Sequence, residues 1–473
     1  MYFIDSVVKA GAVILVIYLT NNRSNPAFKM VWMTIMLVAP VFGVLLYIFV
    51  EFQVGVRWLN ARLEHMHETT KKHWTQDEAV QEQLKEEDSE VASLAHYVCE
   101  YGGFPAYENT GVKYFSCGED KIEELIRQLE KAEKFIFMEY FIVAKGYVWD
   151  RVLEVLKRKA AEGVEVRFMY DGTCTVSLLP PNYPKKLEQE GIACRVFSPI
   201  RPALSTHQNN RDHRKIVVID GKVAFTGGIN LADEYVNRKI RFGHWKDTAI
   251  MLEGDAVRSF TLMFLNMWAI DEHTMESSRF LAYPTKPVMD APGFVLPYSD
   301  SPVDGNKVGE QVYIDILSRA RRYVHIMTPY LIIDHNMETA LQYAAERGVD
   351  VHLILPGIPD KKYAFALAHT HYASLMKAGV KISEYTPGFV HAKVFVADDR
   401  EAVVGTINLD YRSLYHHFEC AAYMLDVPCI ANIEADFQHT LKQCRRMTPE
   451  RLKNDKLSMK VAGALLKAIA PLM

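Results

Sequence analysis

The chain has 473 residues, 49% of them hydrophobic and 24% charged, with 25 Gly and 20 Pro; this length holds two or three domains, and this composition excludes a disordered, collagen-like or coiled-coil chain. Lys and Arg total 54 against 58 Asp and Glu, a formal charge of −4, so the whole chain carries no electrostatic footprint for nucleic acid. The seven cysteines are scattered, odd in number and lack a CxxC pair, which argues against a zinc knuckle or a disulfide framework and for a reducing compartment.

The N-terminus departs from these averages. Residues 30–50 are 21 positions without a charge, close to the roughly 20 helical residues that cross a hydrocarbon core of about 30 Å. Its twelve Leu, Ile, Val and Phe residues each favour insertion by about 0.3 to 0.6 kcal/mol at a central position, reduced but not cancelled by Pro40 and Gly43. Residues 1–20 are apolar apart from Asp5 and Lys9, and 21–29, with Asn25-Pro26, turn the chain between the two segments. The reading for 1–50 is a hairpin of two transmembrane or membrane-embedded helices. A cleaved leader fits worse, because residues 1–5 are no basic n-region and no small-x-small site precedes the loop. Arg57, Arg62, Lys71 and Lys72 follow the second span, against Arg23 and Lys29 in the hairpin loop. That bias predicts a multi-pass cell-membrane protein with a cytoplasmic catalytic part. Residues 51–105 turn polar and acidic, a solvated helical connector.

The remaining chain repeats itself. AAEGVEVRFMYDG at 160–172 returns as AAERGVDVHLILPG at 344–357, each after an apolar strand (135–143 or 323–333) and a helical stretch. GIACRVFSP at 191–199 is matched by GVKISEYTP at 379–387. Strands separated by helices predict an α/β fold of two pseudo-symmetric halves with partly parallel sheets. The halves are read as 106–285 and 286–445, joined near Ala291-Pro292-Gly293, with a basic amphipathic helix at 446–473.

Each repeat ends in the same polar pattern. HRKIVVIDGKVAFTGGIN at 213–230 and HAKVFVADDREAVVGTIN at 391–408 both read H-x-K-x4-D-x6-G-[GT]-x-N, every shared polar position offset by 178 residues. In a β-branched strand, His213 and Lys215, or His391 and Lys393, project from one face. Asp220 and Asp398 come seven residues after the histidine, on the opposite face, and Asp220-Gly221 is a hairpin-turn dipeptide. Both aspartates therefore read first as turn residues, with a catalytic role as the alternative. A return strand carries Gly228 with Asn230, and Thr406 with Asn408, back beside the His-Lys pair, where backbone N–H groups and an amide are expected to bind phosphate oxygens. If the halves meet about a pseudo-twofold axis, two His, two Lys and two Asn face one phosphodiester. The lysines then neutralise it, one histidine attacks phosphorus and the other protonates the leaving oxygen, so neither a metal nor a cofactor is called for.

The doubled motif resembles the phospholipase D superfamily. The two N-terminal apolar segments, Glu139-Tyr140-Phe141, the run Asn408-Leu-Asp410-Tyr-Arg412-Ser413 and the basic tail resemble the bacterial cardiolipin synthases within it. The resemblance implies a phosphatidyltransferase. His213 takes a phosphatidyl group from one phosphatidylglycerol while His391 protonates departing glycerol, and a second phosphatidylglycerol, activated by His391, then collects the group as cardiolipin. It also implies a carboxylate behind each histidine, Asp247 and Glu419, that fixes its tautomer. One departure stands out: His417 occupies the position, two before Glu419, where the family leads us to expect Asn. Asp212, next to His213, is a local influence on its pKa of open sign. The expected partners are phosphatidylglycerol and anionic membrane lipid, not nucleic acid, and a homo-oligomer stays open.

The interval from Gly191 to His213 is ten residues longer than that from Gly379 to His391 and holds Pro199, Pro202, Ser205, Thr206 and His207, a lid or an ordinary surface loop. In the tail, Leu457, Val461, Ala464, Leu465, Ala468, Ile469 and Leu472 recur at helical spacing beside Lys456, Lys460 and Lys467. That pattern suits a helix lying on anionic lipid or one docked on the protein. Hydrolysis, or transfer to another alcohol, is the nearest rival function; a nuclease and a non-enzymatic scaffold stand further off.

Overall fold

A computed structural model describes residues 2–22, 25–51, 75–200, 210–271, 276–302 and 305–472. Arg23, Arg57, Arg62, Lys71 and Lys72, on which the predicted orientation depends, and Pro202, Ser205, Thr206 and His207 of the long loop, lie outside them.

The first half is a seven-stranded sheet, β1-β8-β6-β5-β2-β3-β4, built from β1 (Thr110–Phe115), β2 (Phe135–Tyr140), β3 (Glu165–Asp171), β4 (Ile192–Phe197), β5 (Lys215–Ile219), β6 (Val223–Gly227) and β8 (Ala249–Gly254). Strands β2, β3 and β4 run parallel, joined by helical crossovers, whereas β5, β6 and β8 are antiparallel neighbours. The second half repeats this order in β9 (Phe294–Asp300), β18 (Glu419–Leu425), β16 (Glu401–Gly405), β15 (Val394–Ala397), β10 (Tyr323–Met327), β12 (Asp350–Pro356) and β13 (Lys381–Tyr385), with β19 (Cys444–Arg446) added at the β13 edge. Strand for strand, the second sheet is the first one again.

The sheets bury one face each in a shared central core. Phe137, Ile216, Val218 and Leu252 of the first half meet Val394, Val396, Val404 and Met424 of the second around the helix Val257–Trp268, whose Phe260 and Phe264 are buried. Each outer face carries its own core. Burying both faces of both sheets accounts for the near-continuous apolar strands such as Phe135–Tyr140.

The predicted span at 30–50 is not one helix. The chain forms α1 (Tyr2–Asn21), α2 (Pro26–Val38) and α3 (Pro40–Glu51), the last two broken at Ala39 with φ −140° and ψ 75°. Pro40 is the cause: it lacks an N–H and pushes the preceding residue out of the helical region. Beyond the break α3 folds back on α2. A Cβ on Gly43 would stand 2.8 Å from Met36 Cα, and Trp32 meets Tyr47 at 5.3 Å. Thirteen residues make only about 20 Å of helix, and no helix among the described residues is long and apolar enough to cross a membrane. The tail does form a helix, Leu457–Lys467. It docks through Gly463, where a Cβ would stand 2.6 Å from the carbonyl oxygen of Ala366, and turns Leu457 (75% exposed), Val461 and Leu465 (69%) outward.

Candidate active site

The two halves interlock at the motif histidines. A short strand, β7 (His244–Lys246), pairs in parallel with β14 (Gly388–Val390) of the other half, and its Lys246 carbonyl accepts the His391 N–H at 2.7 Å. On the pseudo-symmetric side Asp212 bridges to Phe418, whose carbonyl accepts the His213 N–H at 3.0 Å. Each histidine is thus fixed by the half it does not belong to, and that half also supplies its carboxylate partner. His213 Nδ1 lies 2.9 and 3.0 Å from the two oxygens of Glu419, and His391 Nδ1 lies 2.7 Å from Asp247 Oδ2. A carboxylate can only accept, so both rings carry hydrogen on Nδ1 and keep the Nε2 lone pair free.

Both lysines donate to the carbonyl of their own histidine, and Lys393 Nζ also lies 2.9 Å from His391 Nδ1. All four side chains are buried. Burial lowers Lys215 to about 8 and Lys393 to about 7, against the pull of Glu419 and Asp247 on the first and of Asp247 on the second. Burial, then Lys393, lowers His391 to about 4, and burial holds His213 well below its ordinary value despite Glu419. Burial alone would raise Glu419 and Asp247, but His213 and His391 respectively outweigh it and keep both ionised. Lys393 interacts with Lys215 across the dyad, so the two sets form one electrostatic cluster. The pull of Asp247 and Glu419 on the two lysines does not offset the cost of their burial.

Several predicted residues have other duties. Asp220 (φ 54°) and Gly221 (φ 67°), and likewise Asp398 and Asp399 (φ 54° and 61°), form the turns of the β5–β6 and β15–β16 hairpins. The Asp220 carboxylate accepts from the backbone N–H groups of Glu133, Lys134 and Phe135, and Asp398 from those of Arg321, Arg322 and Tyr323. They pin the far ends of their strands, which is the turn role read first from the sequence and not its catalytic alternative.

The Gly228 and Thr406 N–H groups are spent on the carbonyls of Thr248 and Cys420, both at 2.9 Å, so they are not available to phosphate. Their use is to seat the carboxylates: a Cβ on Gly228 would stand 2.0 Å from Asp247 Oδ1, and the Thr406 hydroxyl donates to Glu419 Oε2. Asn230 is engaged as well, accepting from Ile142 N at 2.9 Å and donating to Tyr235 Oη at 2.8 Å. Asn408, its counterpart, has an Oδ1 with no partner among the described residues, as has Ser413 Oγ. Asp212 turns from His213 to Arg214, whose Nε lies 3.2 Å from Asp212 Oδ1.

Sequence reasoning did not find the aromatic walls. Phe141 stands 4.8 Å from His213, and Tyr235 and Trp245 stand 5.5 and 5.3 Å from His391, ring centre to ring centre. A signal existed for Trp245: it stands two residues before the carboxylate partner of His391, in nearly extended chain, where alternate side chains share a side. By that rule His417 is the counterpart of Trp245, and its ring lies 5.5 Å from that of His213.

Comparison with known proteins places this geometry. The family model described as cardiolipin synthase, PLD-like domain, matches residues 125–268 and 313–441, one segment in each half. The model described as phospholipase D-nuclease N-terminal matches residues 10–51. A cardiolipin synthase of Geobacillus kaustophilus is 32% identical, covering 97% of this chain and 91% of the relative. An uncharacterized protein of Streptococcus mutans is 54% identical over 97% of this chain and 99% of its own length. Among solved structures, the phosphatidylserine synthase of Haemophilus influenzae superposes with a TM-score of 0.58 at 14% identity, covering 76% of this chain and 93% of that one, a likeness of fold. With two matched PLD-like segments and relatives aligned along nearly its whole length, the chain belongs to the cardiolipin synthase family of phospholipase D-like proteins.

Proposed function

We propose that the chain is a cardiolipin synthase, a phosphatidyltransferase that joins two phosphatidylglycerol molecules and releases glycerol. The observation that carries the reading is the crossed pairing, His213 with Glu419 and His391 with Asp247. It sets two imidazoles, each with its Nε2 lone pair free, beside two buried lysines. The anionic phosphodiester and Asp247 first bring His391 to its imidazolium form, protonated on Nε2 as well as Nδ1. His213 Nε2 then attacks phosphorus, the bond from phosphorus to the glycerol headgroup oxygen breaks, and that oxygen takes the Nε2 proton of His391. Glu419, holding Nδ1–H, stabilises the positive ring of the phosphatidyl-histidine. A headgroup hydroxyl of the second phosphatidylglycerol then gives its proton to His391 and attacks phosphorus, and the P–N bond breaks. The phosphodiester energy is conserved in the covalent intermediate, so no nucleotide enters. Lys215, Lys393 and the Asn408 amide are the groups assigned to the non-bridging oxygens.

The enzyme works at a membrane, and we assign its contact to the exposed apolar tip of the α2–α3 hairpin and the outward stripe of the C-terminal helix. Leu37 (83% exposed), Val38 (79%), Val41 and Phe42 crowd the Pro40 bend. Hairpin and tail adjoin: Ala27, Met30 and Val31 share a groove of 290 Å³ with Lys467–Pro471 residues of the tail. At its other end α2 is fastened to the loop after Asn408, Phe28 packing on Tyr411 and Tyr415 and Asn25 donating to Tyr415 Oη at 2.8 Å. This favours a hairpin that enters one leaflet and returns over one that crosses it.

The test is reconstitution of the full chain in vesicles with phosphatidylglycerol as sole lipid substrate. Cardiolipin and glycerol appear in equal amounts; phosphatidic acid as the main product would overturn the transferase reading in favour of hydrolysis.

A further inference from the structure

His417 has no role in the chemistry above, yet it is built into the site. It is 7% exposed, and neither of its ring nitrogens has a hydrogen-bond partner among the described residues. A buried imidazole with both polar atoms idle is costly, which points to a ligand that satisfies it. Its Nδ1 stands 3.8 Å from Glu419 Oε1, beyond hydrogen-bond length, and that same oxygen lies 2.9 Å from His213 Nδ1. One ligand atom from each of His213, His417 and Glu419 lies within 4.8 Å of the others. Ligands about 2.0 to 2.1 Å from a tetrahedral zinc ion stand about 3.3 Å apart. The 2.9 and 3.8 Å separations bracket that edge. Across the dyad the matching position is Trp245, whose Nε1 lies 3.4 Å from Asp247 Oδ2 and which can donate but not ligate. Only the His213 side therefore offers a nitrogen-rich set.

From this juxtaposition we propose that His213, His417 and Glu419 form an inhibitory site for a zinc-like dication, with water as the fourth ligand. Two imidazoles and a carboxylate suit Zn²⁺ and Co²⁺, and disfavour Mg²⁺ and Ca²⁺, which take oxygen sets. Inhibition follows from the tautomer. Nδ1 of His213 must give its lone pair to the metal, so the ring hydrogen moves from Nδ1 to Nε2 and no proton is gained or lost overall. The atom that attacks phosphorus is then an N–H with no lone pair to offer. Binding itself rests on geometry alone; the loss of turnover rests on the function proposed above.

The experiment uses the full chain, metal-stripped, in phosphatidylglycerol vesicles. Equilibrium dialysis gives one Zn²⁺ per chain, Co²⁺ in its place gives the intense visible bands of a tetrahedral nitrogen–oxygen site, and Mg²⁺ competes with neither. Cardiolipin formation falls in step with zinc occupancy and returns on addition of a chelator. In His417→Asn and His417→Gln, with folding checked by circular dichroism, the zinc concentration for half-inhibition rises more than tenfold and the cobalt bands vanish. The ratio of rates with and without zinc, taken within each variant, is the readout. Zinc sensitivity or cobalt bands unchanged in both variants overturn the site. One equivalent bound without inhibition overturns the tautomer consequence. Metal-free protein that makes no cardiolipin fails the proposed function instead, and cobalt binding still decides the site.

Discussion

The two halves have the same strand order and the same H-x-K-x4-D-x6-G-[GT]-x-N pattern, yet their sites are furnished differently. In the first half the amide of Asn230 is tied to Ile142 and Tyr235, and Trp245 covers His391. In the second, Asn408 Oδ1, Ser413 Oγ and both nitrogens of His417 have no hydrogen-bond partner among the described residues. Because the carboxylates cross the dyad, Glu419 and His417 of the second half adjoin His213 of the first. The duplication thus preserved the paired chemistry while His391 is walled by Tyr235 and Trp245 and His213 by Phe141 and the imidazole of His417. Unlike surroundings are what a nucleophile and an acid–base group require if they are to play unlike parts.

The sharpest way to break this comparison is to remove each histidine. His213→Ala and His391→Ala each lower turnover by about 10⁴-fold or more, measured as cardiolipin formed from phosphatidylglycerol. A phosphatidyl adduct trapped on His391 in place of His213 would reverse the assignment of the halves.

The crossed carboxylates come next. Glu419→Gln and Asp247→Asn each reduce kcat by about 10² to 10⁴-fold, because an amide can donate to Nδ1 and select the wrong tautomer. The Glu419 variant impairs formation of the covalent adduct in a single turnover, and the Asp247 variant slows adduct formation and breakdown alike. If Glu419→Gln left the adduct step untouched while Asp247→Asn abolished it, the crossing would carry no catalytic meaning.

Lysine burial gives a smaller and opposite effect. Lys393 is lowered to about 7 in the fold, against about 10.4 in the unfolded chain. Between those values the unfolded state binds more protons, so stability falls as pH drops from about 10 to about 7. Lys393→Met, inactive, is more stable than the parent by about 1 to 3 kcal/mol at pH 7 in lipid-free denaturant melts, and the gain fades toward pH 10. A difference independent of pH would show that the buried ammonium is not the cause.

The hairpin aspartates mark the floor of the series. Asp220→Ala and Asp398→Ala each lose caps on three backbone N–H groups, costing about 1 to 3 kcal/mol of stability. The rate at saturating lipid changes by less than about threefold. A loss of rate comparable to that in the histidine variants would return these residues to the chemistry.

Much of this was legible in the residues. Two copies of an eighteen-residue pattern announced two copies of a sheet, β-branched runs announced strands, and Asp220-Gly221 announced a turn, because each signal is local and its spacing is set by backbone geometry. The apolar N-terminus was legible as lipid-seeking, but its path was not: composition counts residues, whereas Pro40 and Gly43 decided that the segment folds back on itself. The role expected for Gly228 failed for a similar reason, since which partner a backbone N–H finds is settled by the neighbouring strand, here Thr248. The walls at Phe141 and Tyr235 came from separate segments with no shared spacing, whereas Trp245 was legible only through its place two before Asp247.

The sequence by itself determined the elements, their duplication and the residue types that handle a phosphodiester, all of them properties written within some twenty residues of chain. Only the tertiary structure decided that each histidine takes its carboxylate from the opposite half and that His417 stands beside His213. His213 and Glu419 are 206 positions apart, and contact over such a separation depends on how two sheets pack across a common core, which no local spacing records.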